Sequence, residues 1–271
     1  IQASSINPNE IYFPYQKTIK ALNLKNSSMS TVLNLKFNPK CLKEKDGLLL
    51  IAGLIHADTS TGSLSIYNKN LNLTMETEIG TMINNSVNIF KLNNNQYNAY
   101  LANNDKYLYQ IGIKTTRLIN NLSKIYIGYN LNSSITSLRN NITLTCGDSK
   151  NISIIDNSSN KIINNTVTPA DSGFSLDFHY NQYYFAGAFQ DGRSLIYDLR
   201  NLKNPLYTVY STRKLFTKEG AFRCLKFSGV QNDLLFLSET MGKIHIIDLR
   251  NLENHKIITI PSNFKESDYP K

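Results

Sequence analysis

Two short segments of this sequence place a carboxylate and a guanidinium two residues apart at the end of an apolar run. The first is YDLRNL at 197–202, and the second is IDLRNL at 247–252. Carboxylates and guanidinium groups form strong, often bidentate hydrogen bonds. Each segment can therefore have either of two roles. The aspartate can bond the following turn while the arginine pairs with a carboxylate, or the arginine can contact a partner protein.

No combination of residues in the sequence suggests catalysis. The four histidines are dispersed without the spacing of metal ligands: His56, His179, His245 and His255. Phosphate-binding glycine loops, dinucleotide fingerprints and nucleophile elbows are missing from the sequence. His245, inside the run IHIID, is predicted to be a hydrogen-bonded strand residue and not a ligand. We therefore expect a protein without enzymatic activity, cofactor or metal.

Composition indicates an intracellular protein with a basic surface. The 271 residues are 41% hydrophobic and 18% charged, with a formal net charge of +9. The lysines and arginines are scattered, which favours a solvated surface over a nucleic-acid interface. Cys41, Cys146 and Cys224 lie far apart and are predicted to be reduced core residues. No apolar run approaches the length of a membrane span, so we expect the cytoplasm, the nucleus or both. The missing initial Met suggests a fragment.

The elements that position these residues are short strands in a repeated order. Each unit has an apolar strand, a turn, a second strand, a Gly-containing turn, a third strand and a fourth. Val, Ile, Tyr, Phe and Thr dominate the runs, and helical periodicity is almost absent. We predict one domain over 1–271 whose clear units cover 30–80, 86–130, 134–168, 173–212 and 220–261. Residues 1–29 are expected to supply a closing strand or a degenerate unit.

Two of these units resemble blades of WD-repeat β-propellers. They are YFAGAFQDGRSLIYDLR and LFLSETMGKIHIIDLR. The family ends its third strand in Trp-Asp, whereas this chain has no Trp. The dipeptides at that place are Tyr197-Asp198, Ile247-Asp248 and Ile155-Asp156. The resemblance implies an all-β fold of four-stranded antiparallel blades, with five visible here and a seven-bladed ring, or a fragment of one, expected.

The Asp-x-Arg endings are similar to a box that marks substrate receptors of cullin-type ubiquitin ligases. In that family the arginine lies on the bottom face of the propeller and touches the ligase adaptor. The resemblance implies that Arg200 and Arg250, with Asp198 and Asp248, form an adaptor-binding surface. Repeats copy structural residues as readily as functional ones, so the structural use of these pairs stays open.

The last unit carries a second resemblance, over 220–251. Its segments Ala221-Phe222-Arg223 and Lys226-Phe227-Ser228, together with Glu239, are similar to a short domain of unknown function in fungal and plant WD-repeat-like proteins. Fungal members of this kind are linked to GID-type ubiquitin ligases as receptors for degrons at protein N-termini. The resemblance implies the same class of work for this chain.

The blade pattern of the family puts several acidic turns on the top face. Glu239, Glu219 and Asp171 are among them. A protonated N-terminal amine needs nearby carboxylates, because charge-assisted hydrogen bonds are strong. We therefore expect these three acids to line a peptide pocket, unless they are ordinary solvated turn residues. Arg223, on an innermost strand, is also expected at the peptide site, where it either faces the central channel or pairs with Glu239.

Together these features predict a non-catalytic recognition module that acts as a substrate receptor, the degron-binding subunit, of a ubiquitin ligase. The expected partners are ligase subunits and a substrate's N-terminal or linear peptide. A structural scaffold in a trafficking or RNA–protein assembly is the alternative, and the basic charge would suit it. Proteins captured from cells would separate the two interpretations.

Overall fold

Apolar runs punctuated by Asn, Asp and Gly turns form β-strands along the chain. The structure, a computed structural model, describes residues 1–55, 61–116, 118–212, 220–229, 233–240 and 242–261. These residues form 24 strands and no helix. In the same part of the chain, therefore, no helix has the length and apolar character needed to cross a membrane.

The strands form six sheets, each an antiparallel meander of four strands that follow one another in the sequence. Sheet 1 contains β1 (Gln2–Ala3), β2 (Glu10–Tyr15), β3 (Thr18–Asn23) and β4 (Met29–Asn34), and sheet 2 contains β5 (Asn38–Lys45), β6 (Leu48–Leu54), β7 (Gly62–Asn68) and β8 (Leu73–Glu78). Sheet 3 contains β9 (Asn84–Asn93), β10 (Gln96–Asn103), β11 (Tyr107–Lys114) and β12 (Leu118–Tyr126), and sheet 4 contains β13 (Leu131–Ser137), β14 (Ile142–Gly147), β15 (Asn151–Asp156) and β16 (Lys161–Val167). Sheet 5 contains β17 (Gly173–Phe178), β18 (Tyr184–Phe189), β19 (Arg193–Asp198) and β20 (Tyr207–Tyr210), and sheet 6 contains β21 (Phe222–Phe227), β22 (Leu234–Glu239), β23 (Lys243–Asp248) and β24 (Asn251–Thr259).

The hydrophobic core lies between successive sheets, because the middle strands are apolar on both faces. In β6, Leu49 packs toward sheet 1 and the next residue, Leu50, packs toward sheet 3, and both are fully buried. Similar clusters fill the other spaces between consecutive sheets in the described chain. Tyr197, at the family's Trp position, is buried and stacks on Phe185 with the ring centroids 5.4 Å apart.

The first strands of the sheets lie nearest a common axis. β9 contacts β5 and β13, and β17 contacts β13 and β21. Lys43 of sheet 2 lies close enough to Lys226 of sheet 6 and Asp177 of sheet 5 for their charges to act on it. Burial lowers the pKa of Lys43 most, Lys226 lowers it further, and Asp177 opposes both. Lys226 and Asp177 form an ion pair of 2.7 Å.

Side chains of sheets 2, 5 and 6, which are not all consecutive, therefore lie near one another. Together with the repeated four-stranded antiparallel sheets, this confirms the predicted fold class, an all-β fold of propeller blades. Six such sheets are present in the described residues, whereas the sequence shows five clearly.

The difference lies at the N-terminal end. Residues 1–29 contain three strands that form sheet 1 with Met29–Asn34, which is a whole blade and not a closing strand. The unit predicted to begin at residue 30 therefore starts inside the last strand of sheet 1, and sheet 2 begins instead with Asn38–Lys45. A search for apolar runs misses the strand Asn38–Lys45 because it is rich in charged residues. Its Glu44 is buried and accepts hydrogen bonds from Ser5 Oγ and Gly47 N.

The three cysteines do not share one environment. Cys146 is buried and Cys41 is half-buried, and burial raises the pKa of both thiols, that of Cys41 to about 12. Cys224 is exposed on β21, so the prediction that all three are core residues is wrong for this one.

Candidate functional site

The first Asp-Leu-Arg segment forms a turn in which the arginine pairs with the aspartate of the same turn. β19 ends at Asp198, whose carboxylate accepts the backbone N–H of Arg200 at 2.9 Å. The same carboxylate accepts Arg200 Nε at 2.9 Å and Nη2 at 2.6 Å. These hydrogen bonds from Arg200 lower the pKa of Asp198, so the pair is ionised at neutral pH.

The second segment repeats this arrangement in sheet 6. Asp248 accepts the backbone N–H of Arg250 at 3.0 Å, its Nε at 2.9 Å and its Nη2 at 2.8 Å. The hydrogen bonds lower the pKa of Asp248 to about 2. Because the pKa of Asp248 is lower in the folded state, its pair with Arg250 stabilises the fold above the unfolded-state pKa of about 4. This stabilisation is lost as the pH falls through the folded-state pKa.

Each arginine is held in place and still faces solvent. The side chains of Arg200 and Arg250 are 62% and 61% exposed, whereas their aspartates are each 12% exposed. Each arginine therefore holds its own turn by pairing with the aspartate, and its guanidinium group is still accessible. We call the end of the molecule that carries these two turns the arginine end.

An aromatic ring lies beside one of these arginines. The turn between β17 and β18 carries Tyr183 on the arginine end. The guanidinium of Arg200 lies 5.1 Å from the centre of the Tyr183 ring, and that of Arg139 lies 4.5 Å from it. Arg139 comes from sheet 4's β13–β14 turn, and its Nη1 donates to the Asn181 carbonyl at 3.3 Å. The sequence analysis missed this group, because its members come from different sheets.

Glu239 is the last residue of β22 and lies at the end of sheet 6 opposite the arginine end. Its side chain is completely buried. Its carboxylate accepts the backbone N–H of Thr212 at 3.1 Å and the Thr212 Oγ at 3.1 Å. It also lies 2.8 Å from Nε2 of His245. The carboxylate, predicted to line a peptide pocket, is thus enclosed by other groups of the protein.

The buried acid continues into a chain of two imidazoles. His245 is fully buried, and its Nδ1 lies 2.9 Å from Nε2 of His255 on the neighbouring strand β24. Both hydrogen bonds form when His255 Nε2 donates to His245 Nδ1 and His245 Nε2 donates to Glu239. The pKa of His255 is lowered by burial first and by His245 second. His245 is thus a hydrogen-bonded strand residue, as the sequence predicts.

The two other described residues predicted for a peptide pocket, Arg223 and Asp171, contact different groups. The exposed Arg223 stacks its guanidinium on Phe174 of the neighbouring first strand, 4.2 Å from the ring centre. Asp171 is exposed, and its backbone N–H donates to Asp191 Oδ2 at 3.1 Å. Glu219 lies outside the described residues.

The described residues contain no group of three or more His, Cys, Asp or Glu side chains placed to hold a metal ion. The candidate site has two parts, at opposite ends of the sheets. Its parts are the paired arginines with Tyr183 at one end and the turn acid Asp171 at the other.

Comparison with known proteins places the last sheet in a family without an assigned role. Residues 220–259 match the family described as an uncharacterised protein domain, DUF2415. This range contains the whole of sheet 6, with the buried Glu239 and the Asp248–Arg250 turn. It confirms the resemblance of this block to a short domain of unknown function.

Two fungal proteins are similar to longer parts of the chain. An uncharacterized protein of Saccharomyces cerevisiae is 45% identical over 92 residues, which are 34% of this chain and 12% of that protein. An uncharacterized protein of Schizosaccharomyces pombe is 27% identical over 146 residues, which are 51% of this chain and 41% of that protein. The matched segments span less than half the length of these curated relatives.

Proposed function

We propose that this chain is a WD-repeat-like, non-catalytic recognition module of the cytoplasm or nucleus and serves as a substrate receptor of a ubiquitin ligase. One observation carries the proposal. Two adjacent sheets present an exposed guanidinium from the equivalent turn, each held in the same geometry by an aspartate. The resemblance of these segments to the adaptor-binding box assigns them to a ligase adaptor.

The geometry suits an arginine that contributes to binding. A guanidinium already fixed by its aspartate loses little conformational entropy when a partner docks, and preorganisation of this kind favours affinity. Arginine is also among the side chains that most often dominate the energetics of protein interfaces. The ion pairs with Asp198 and Asp248 hold the position, and the exposed part of each guanidinium is offered to the adaptor.

Replacing Arg200 and Arg250 together with alanine is expected to reduce the capture of ligase subunits at least about tenfold, as loss of interface hot spots does. The measurement is quantitative mass spectrometry of proteins that co-purify with the full chain from fungal cells. Arg193→Ala is the matched control. Arg193 also pairs with a nearby aspartate, Asp191, at 2.6 Å, but it begins β19, at the end opposite Arg200.

The proposal fails if the wild-type chain captures no ligase subunits, or if the double variant captures as many as the wild type. Capture of coat or pre-ribosomal proteins instead would favour the scaffold alternative. The net charge of +9 is the observation that supports this alternative, because basic proteins associate readily with RNA-rich assemblies.

The substrate side of the proposal concerns the end opposite the arginines. Among the three acids predicted there, Asp171 is the one that is exposed in the described chain. If it contacts the amine of a substrate N-terminus, Asp171→Ala is expected to weaken binding of an unblocked N-terminal degron peptide at least about tenfold, because a charged hydrogen bond is worth about 1.5 to 3 kcal/mol.

Isothermal titration with the unblocked peptide and its N-acetylated form checks this expectation. The acetylated form should already bind weakly and should not respond to the substitution. Glu253→Ala, which removes an exposed acid from β24, is the charge-matched control. Unchanged affinity of Asp171→Ala for the unblocked peptide would remove Asp171 from the site.

A further inference from the structure

A groove opens between sheets 4 and 5 at the arginine end. Its volume is about 350 Å³, at the small end of the range of about 300 to 1,000 Å³ typical of ligand sites. Most of its surface is apolar, with polar groups at the edge. The lining residues are Asn140, Ile142, Ile154, Ile163, Asn164, Tyr183, Leu199, Arg200 and Leu202. We call it the Tyr183 groove.

The groove is open because one outer-strand position carries a small side chain. Asn164 of β16 pairs with Ile154 of the middle strand β15. In the next sheet, the residue that pairs with the equivalent Ile196 is Tyr207. Tyr207 packs against the core between sheets 5 and 6, beside Leu252. At this position sheet 5 therefore carries the aromatic ring of Tyr207, whereas sheet 4 carries the smaller side chain of Asn164.

The floor of the groove is continuous with the core between the two sheets. Ile142, Leu199 and Leu202 are partly buried and pack against that core, and Ile154 is almost completely buried. Burying apolar surface is favourable by about 25 cal/mol per Å², so an apolar side chain is the ligand group that gains most here.

The rim carries positive charge. Arg139 and Arg200 flank Tyr183, and Asp198 neutralises only Arg200. The Arg139 guanidinium donates instead to a neutral carbonyl, that of Asn181. The rim therefore has a net charge of about +1 and favours a carboxylate on the ligand.

We propose that the Tyr183 groove binds a linear peptide segment of a partner protein, in which a large apolar side chain fills the groove and a neighbouring Asp or Glu meets Arg139. The inference deepens the proposed function and rests on it, because Arg200 belongs to both the groove and the proposed adaptor surface. Nucleic acid fits less well, since one net charge above an apolar floor is little against a run of phosphates.

The experiment is a selection of random twelve-residue peptides displayed on phage, with the immobilised full chain as bait. The Asn164→Tyr variant is used for counter-selection. We expect an enriched sequence with one Leu, Ile, Met or Phe next to Asp or Glu. A synthetic fluorescent copy of that peptide should bind the wild type and lose at least about tenfold in affinity for Asn164→Tyr, because the new ring occupies the space as Tyr207 does.

Two further variants sharpen the result. Val167→Tyr adds the same ring at an exposed position of β16 outside the groove and should leave the affinity unchanged. Arg139→Ala should weaken binding several-fold and reduce its dependence on salt. Thermal melting of each variant shows whether the fold is intact.

The inference is overturned if no peptide is enriched on the wild type over Asn164→Tyr, or if the enriched peptides are basic or lack an apolar residue. A chain that captures ligase subunits but selects no such peptide would contradict the groove and leave the proposed function standing. A chain that selects the peptide but captures no ligase would contradict the proposed function alone. Arg193 begins β19 at the opposite end and does not line the groove, so Arg193→Ala should leave peptide selection unchanged.

Discussion

Glu239→Ala is expected to lower the free energy of unfolding by about 3 to 5 kcal/mol, because buried hydrogen-bond donors lose their acceptor and a cavity opens. The Glu239 side chain is completely buried and accepts from Thr212 and from His245. Without the carboxylate, the buried imidazole of His245 loses its acceptor while its other face stays against Phe222, with ring centroids 5.0 Å apart. An unsatisfied buried donor and a cavity then add to each other.

Urea denaturation of the purified chain measures this change. Glu239→Gln keeps the size and an acceptor oxygen, and is expected to cost less than half as much as alanine. Glu253→Ala removes an exposed acid and should change the free energy of unfolding by no more than about 0.5 kcal/mol. A loss of less than about 1 kcal/mol for Glu239→Ala would show that the hydrogen bonds from Glu239 through His245 to His255 do not stabilise sheet 6.

The same pair of variants separates structure from binding at Glu239. If this carboxylate contacted a substrate amine, glutamine would reduce peptide affinity while the fold stayed stable. If it acts through the fold, peptide affinity should follow stability, so that alanine loses both and glutamine keeps both. The complete burial of the side chain favours the second outcome.

Local features of the fold could be predicted from the sequence. The apolar runs and Gly-containing turns locate most of the strands, and the endings at Asp198 and Asp248 mark where β19 and β23 stop. The pairing of each aspartate with the arginine two residues later needs only one turn of backbone. The pairing of these residues within each turn could therefore be predicted from the sequence, and it is present in the structure.

Features that depend on two sheets could not be predicted in this way. Tyr183 contacts arginines from sheets 4 and 5, and nothing in its sequence neighbourhood indicates that packing. The correspondence of Asn164 with Tyr207 is hidden by a register shift in sheet 4 between Ile154 and Ile155. Charged strands are missed for a related reason, because the burial of Glu44 depends on contacts from Ser5 in another sheet.

Gly147→Ala is expected to destabilise the protein by about 3 kcal/mol or more, at the upper end of the cost of overpacking. Gly147 ends β14 and lies opposite the register shift between Leu131 and Ser133 of β13. A methyl group built on Gly147 would lie 1.7 Å from the carbonyl oxygen of Asn130. That oxygen belongs to the backbone and accepts the N–H of Asp148 at 2.9 Å, so relief requires the chain to move.

Gly112→Ala is the matched control, since it is also a glycine inside a strand. A methyl group there would meet its nearest neighbour, Asn121 Cβ, at 3.4 Å, an ordinary contact. Its effect should lie within about 1 kcal/mol of zero, and the reduced entropy of the unfolded chain favours the variant. Urea denaturation compares the two, and equal effects would contradict the close approach at Gly147.

The close approach recurs at the same place in another sheet, where Gly53 lies opposite a register shift in β5 and its added methyl group would meet the Asn38 carbonyl at 2.0 Å. The equivalent residue in sheet 6, opposite the shift between Phe222 and Cys224, is Glu239. Gly53→Ala should therefore be as costly as Gly147→Ala. Sheets 2 and 4 thus carry glycine at this position, whereas sheet 6 carries a buried glutamate. The polar cluster around that glutamate is therefore specific to the last sheet.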